Sequence, residues 1–238
     1  ISLLAFLGSP FFSSQTFAAE CATGTAPLAG CTIDVSDITY TLTGDIEPAA
    51  TVIGIEIGGL TAVSASTLNL TGDITTSGAN ADGFIENSGS QLNTINITGD
   101  ISASGFSADG INTNALGYSF ITLLGDITVS GTSGHGVKLY TDNSEFTMTG
   151  NIATSGQGGD GLDIQSDSTT VLLTGDITLL EENALGPQDA IKIIGDSNNV
   201  TITGNVTSNA STGPRGSYGS GLYISSGTSN TIVLNGNM

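Results

Sequence analysis

Leu70-Thr71-Gly72-Asp73-Ile74 decides the fold, because this pattern returns along almost the whole chain. It recurs as Leu42 to Ile46, Ile97 to Ile101, Leu123-Leu124-Gly125-Asp126-Ile127, Met148 to Ile152, Leu173 to Ile177, Ile202 to Val206 and Leu234 to Met238. The anchoring glycines are 44, 72, 99, 125, 150, 175, 204 and 236, spaced by 28, 27, 26, 25, 25, 29 and 32 residues. Four before, two before and two after each glycine stand 24 apolar side chains, such as Leu68, Leu70 and Ile74. Alternation with Thr and Asn marks strands with one buried face. A repeat of this length signals stacked units.

Working outward from the anchor, a second strand follows in each unit. It reads Gly54-Ile55-Glu56-Ile57, Gly83-Phe84, Gly110-Ile111, Gly136-Val137-Lys138-Leu139, Gly161-Leu162-Asp163-Ile164, Ala190-Ile191-Lys192-Ile193 and Gly221-Leu222-Tyr223-Ile224. A Ser-Gly turn separates the two strands in Ser77-Gly78, Ser104-Gly105, Ser130-Gly131 and Ser155-Gly156, where glycine is expected to permit unusual backbone angles. The units lack a helical period, which excludes a βαβ crossover, and are shorter than a propeller blade. One coil alone cannot repay its ordering entropy from a handful of inward side chains, so coils must pile up. The expected fold is all-β, a right-handed single-stranded parallel β-helix of about seven or eight coils. At ~4.8 Å between strands the rod would stand about 35–40 Å tall.

Composition narrows the partners. Three Lys+Arg against 22 Asp+Glu give a net charge of −19, which repels nucleic acid and anionic membrane surfaces. The regular apolar positions separate the chain from acidic disordered tails.

The apolar run Ile1-Ser2-Leu3-Leu4-Ala5-Phe6-Leu7, followed by Phe17-Ala18-Ala19, reads as residues 1–19 of a secretory signal peptide cut after Ala18 or Ala19, its basic beginning absent. Too short to span a membrane, the run competes only with a buried hydrophobic segment as an explanation. Cys21 and Cys31 then read as one disulfide inside an N-terminal cap of residues 20–35, ahead of repeats over 36–238. Leu28-Ala29-Gly30-Cys31 has a lipobox form but does not directly follow the apolar run. Met238 falls in mid-coil without a capping sequence, so the natural chain is expected to continue.

Over residues 36–238 these features resemble the passenger domains of autotransporters, the type V secreted proteins of Gram-negative bacteria. The resemblance rests on the signal peptide, the stacked hydrophobic-Thr-Gly-Asp/Asn-Ile units, few cysteines and almost no Lys or Arg. It implies export through the periplasm to the cell surface, attachment by a C-terminal outer-membrane barrel outside this chain, and an adhesin or stalk role. The expected ligand is a host-surface or self-associating protein or glycan.

Candidate chemistry is sparse, and neither a cofactor nor a metal is expected. Asp45, Asp73, Asp100, Asp126, Asn151, Asp176, Asn205 and Asn237 should form one column, each side chain bonded within its own turn rather than holding cations. Gly158-Gly159-Asp160-Gly161-Leu162-Asp163 opens like a calcium-binding nonapeptide, but Gln165 stands where that motif needs an apolar residue. His135, the one histidine, occupies the place of Asp82, Asp109 and Asp160 and reads as a turn residue. Lys138 and Lys192 share an outward face with Asp163 and Glu56; they read as a salt-bridged ladder, with a carbohydrate-active enzyme of the polysaccharide lyase kind as the alternative. The two longest coils expand one connection. Glu181, Glu182 and Asn183 in residues 178–190, and Arg215 and Tyr218 in 207–221, are therefore the candidate binding loops.

Overall fold

A computed structural model of the chain describes residues 19–25, 29–49, 51–59, 61–180, 188–209, 219–225 and 227–238. Among these residues every regular element is a strand, with no helix. The strands form three parallel sheets stacked as a β-solenoid of about seven turns. Among the described residues the anchor and return sheets have nine strands each and the short sheet six, so the central coils contribute one strand to each sheet. The anchor sheet carries strands such as Thr67–Thr71, Asn93–Thr98 and Ser119–Leu124; the short sheet carries Ile74–Thr76, Ile101–Ala103 and Ile127–Val129. The return sheet carries Phe84–Glu86, Ile111–Thr113, Val137–Leu139 and Leu162–Ile164. This connectivity is compatible with the right-handed coil expected of parallel crossovers.

Register is the central result. Ile101 pairs with Ile74 below and Ile127 above, Ile97 with Leu70 and Leu123, and Ile111 with Phe84 and Val137. Every one of these side chains is buried, so aliphatic columns fill the interior from coil to coil. Each fully buried Ile or Leu is worth roughly 1.5–3 kcal/mol relative to exposure, and the parallel register gives every coil the same set. Met238 sits beside Gly221 as Ile127 sits beside Gly110, but is exposed.

Two sequence expectations change in detail. The Gly-Asp pair does not continue a strand; it bends the chain, so Leu70 and Ile74 point inward from different sheets and each coil has three strands rather than two. The anchor glycines cause the bend. Gly72, Gly99, Gly125, Gly150, Gly175 and Gly204 have φ between +145° and +157°, and a Cβ on each would overlap the carbonyl oxygen of the glycine one coil below. The Ser-Gly glycines serve closeness rather than backbone angle. Gly105, Gly131 and Gly156 keep ordinary φ, yet a Cβ would strike the carbonyl below, while the left-handed positions fall further on at Asn80, Ser107, Ser133 and Gly158.

At the N-terminal end Cys21 and Cys31 form a disulfide with a Cα–Cα distance of 5.0 Å. The segment assigned as a cap is itself stacked: Ala19–Glu20 pairs with Cys31-Thr32, Gly24–Thr25 with Leu42-Thr43, and Cys31–Ile33 with Ile55–Ile57. Residues 1–18, which carry most of the proposed signal peptide, lie outside the described residues.

Candidate functional site

The outer face of the return sheet gathers the charged chemistry. Its first column stands two residues before Phe84, Ile111, Val137, Leu162, Ile191 and Leu222 on the return strands: Asp82, Asp109, His135, Asp160, Asp189 and Ser220. Each side chain accepts the backbone amide of the next member. Asp82 Oδ1 accepts from Asp109 at 2.7 Å, Asp109 Oδ1 from His135 at 2.7 Å, and His135 Nδ1 from Asp160 at 3.0 Å. Asp160 Oδ1 accepts from Asp189 at 2.8 Å, and Asp189 Oδ1 from Ser220 at 2.9 Å. The four aspartates are buried. They were not proposed as a bonded set from the sequence, although the recurring Asp-Gly before an aliphatic strand is a legible signal.

The second column lies on the strands, where Asn112, Lys138, Asp163, Lys192 and Tyr223 are paired in register. The two lysines lean onto the first column. Lys138 Nζ sits 3.7 Å from Asp109 Oδ2, and Lys192 Nζ lies 3.2 Å from Asp160 Oδ2 and 3.5 Å from Asp163 Oδ2. Glu56 stands in the same column three coils before Lys138, aligned with Thr32 and Ile85 and bonded to Asn87. Lys138 also lies 4.9 Å from the centre of the Tyr140 ring, within cation–π reach.

Burial controls the ionisation of this face. Removal from water, reinforced by neighbouring Asp82, pushes Asp109 up to about 6 despite the opposing His135 amide and Lys138. Burial likewise raises Asp82 and Asp189. For Lys192, burial works in the opposite direction, but Asp160 and Asp163 outweigh it and hold the ammonium above the ordinary lysine value. A lysine so stabilised in its protonated form is poorly suited to remove a proton.

Among the described residues, His135, Asp160 and Asp163 form a group whose ligand atoms lie within 4.8 Å of one another. Lys192 already bonds both carboxylates, so a cation would have to displace an ammonium, and the three groups fall short of the six to eight oxygens calcium takes. The Gly158 to Asp163 motif thus contributes its two acids to an ion-pair network.

The predicted Asp/Asn column is present on the other side of the anchor bend, with its hydrogen bonds running between coils. Asp73 accepts from the Asp100 amide at 2.8 Å, Asp100 from Asp126 at 2.8 Å, Asp126 from Asn151 at 2.7 Å, and Asp176 from Asn205 at 2.7 Å. Asp45, Asn151 and Asn205 do the same for Asp73, Asp176 and Asn237. The bonds skip the parent turn because the bend points each side chain at the coil above. A third column, Asp142 to Asp167 to Asp196 to Thr228, repeats the device at another corner.

Glu86 is the second group that sequence reading missed. It points inward, buried, between Ile57 and Thr113, and receives Asn93 Nδ2 at 2.8 Å and Ser119 Oγ at 2.5 Å. Burial raises its pKa against those two hydrogen bonds.

A cavity of about 380 Å³ opens at the upper end of the charged face, lined by Asp160, Asp189, Lys192, Ser220 and Tyr223. The candidate loop residues Glu181, Glu182, Asn183, Arg215 and Tyr218 lie outside the described residues. The connections that hold them rejoin the described chain at Gln188 and Gly219, each immediately before a cavity residue. No family model, curated protein or solved structure matches this chain. The architecture defines the class, a parallel β-solenoid.

Proposed function

We propose that the chain is a passenger segment of an exported, autotransporter-like surface protein that acts as an adhesin or stalk rather than as a catalyst. The observation that carries the reading is the commitment of its bases. Lys138 and Lys192 are tied to Asp109, Asp160 and Asp163, leaving an extended, regular outer surface suited to contact. In this reading the N-terminal segment directs export, the Cys21–Cys31 disulfide forms in an oxidising compartment, and an outer-membrane barrel beyond this segment holds the rod at the cell surface.

The test is display of the rod on bacterial cells with and without residues 207–221. An adhesin loses attachment to host cells or to neighbouring displaying cells on deletion. A stalk shows no attachment in either form.

The second reading, a carbohydrate-active enzyme, draws on the cavity beside Lys192. Release of unsaturated products from an acidic polysaccharide, abolished by K192M or K138M, would establish it in place of the first.

A further inference from the structure

We infer that the cavity between Lys192 and Tyr223 is a binding site for a neutral saccharide. The inference rests on the adhesin reading and deepens it by naming a ligand class and a place. The cavity volume of about 380 Å³ falls near the lower end of the roughly 300–1,000 Å³ typical of small-molecule sites, which suits a short saccharide.

Its lining selects the chemistry. Asp160 and Asp189 are acceptors held in fixed positions, because each already accepts a backbone amide through Oδ1. Lys192 donates, and Ser220 and Ser225 offer hydroxyls that donate and accept. A sugar ring presents the matching set, adjacent hydroxyls that each donate and accept. Tyr223 supplies an aromatic plate, 43% exposed, and Ile194 a small apolar patch for the ring's C–H face.

Charge excludes the alternatives. Two carboxylates against one ammonium, on a chain of net charge −19, repel uronates, sulfated sugars and phosphates. A cationic ligand meets the Lys192 ammonium, which already pairs with Asp160. An apolar ligand would leave Asp189 and Lys192 desolvated without new partners. A neutral polyol satisfies every group present.

The experiment is NMR titration of the intact chain with methyl β-galactoside, methyl α-mannoside and N-acetylglucosamine, singly and as their short oligomers. Galacturonate is the anionic control. The expected result is saturable perturbation of the Ser220 and Tyr223 amides by at least one neutral sugar, with galacturonate at least tenfold weaker. Y223A is expected to weaken binding about tenfold, the loss of one stacked aromatic, while Y223F retains it. Y140A, on the same face but outside the cavity, leaves affinity unchanged. Absence of binding by every neutral sugar, preference for galacturonate, or full affinity in a Y223A protein with wild-type circular dichroism each overturns the proposal. Saccharide binding without cell attachment upholds the site and rejects the adhesin reading; attachment without saccharide binding does the reverse.

Discussion

His135 accepts the Asp160 backbone amide through Nδ1 at 3.0 Å, taking the role that a carboxylate oxygen plays in the other rungs of its column. An imidazole nitrogen can fill an aspartate's place only while it keeps its lone pair. The substitution therefore preserves geometry while removing a negative charge between Asp109 and Asp160.

H135A should leave the Asp160 amide without its acceptor and cost about 1–2 kcal/mol. H135N restores an acceptor and should recover most of that. Hydrogen exchange at the Asp160 amide, read beside the melting temperature, checks both. Equal exchange in the two variants would contradict the rung.

Asp109, raised to about 6 by burial and by Asp82, gives stability a defined pH dependence. Because the folded pKa exceeds the unfolded one, near 3.8, the contribution is fully present below the unfolded value and is lost as pH rises to about 6. The span is about 2 pKa units, or ~3 kcal/mol at most, with the Lys138 contact also at stake. D109N, which keeps the Oδ1 acceptor, should flatten the stability profile between pH 4 and 6 in urea titrations. An unchanged profile would refute the assignment.

Glu86 should behave in the same direction from inside the core. Burial raises it, so its contribution is present below the ordinary glutamate range and declines as pH rises through its folded value. E86Q preserves acceptance from Ser119 or Asn93 and carries no charge. It should raise the melting temperature at pH 7 and leave it nearly unchanged at pH 3. Destabilisation at both pH values would mean that the carboxyl is needed for its hydrogen bonds alone.

The anchor bend separates two neighbouring residues by their tolerance. G125A places a methyl group against the Gly99 carbonyl at a φ of +157° and should cost more than about 3 kcal/mol. D126N next to it should cost within about 0.5 kcal/mol, because Asn151 and Asn205 already serve in that column. Chemical denaturation of both variants decides; a mild G125A would show that the coils can separate there.

The inward columns were legible because burial repeats a chemical type: Leu70, Ile97 and Leu123 are apolar in every coil, and the register makes them neighbours. The split into three sheets was not. Period-two alternation across Gly72 is the same for a straight strand and for a bend that keeps Leu70 and Ile74 facing inward. The Asp/Asn column could be found by alignment of repeats, but the direction of its hydrogen bonds depends on backbone torsion at the preceding glycine. Lys138 and Lys192 were recognised as an outward pair, whereas their main partners, Asp109 and Asp160, come from a different part of the coil. Glu86 breaks the apolar rule, and only its placement beside Asn93 and Ser119 explains how the core accepts it.

Three acceptor columns on the rod share one direction. A finished coil displays Asp126 Oδ1, Asp142 Oδ1 and Asp160 Oδ1 toward the amides of Asn151, Asp167 and Asp189, all of them later in the chain. Other bonds between coils point the opposite way: the Ser119 amide donates to Ser144 Oγ and the Thr169 amide to Asn198 Oδ1, both acceptors later in the chain. Loss of one aspartate from the acceptor columns would therefore bare an amide in the later coil only: without Asp126 the Asn151 amide loses its acceptor, while the amide of residue 126 keeps Asp100 Oδ1.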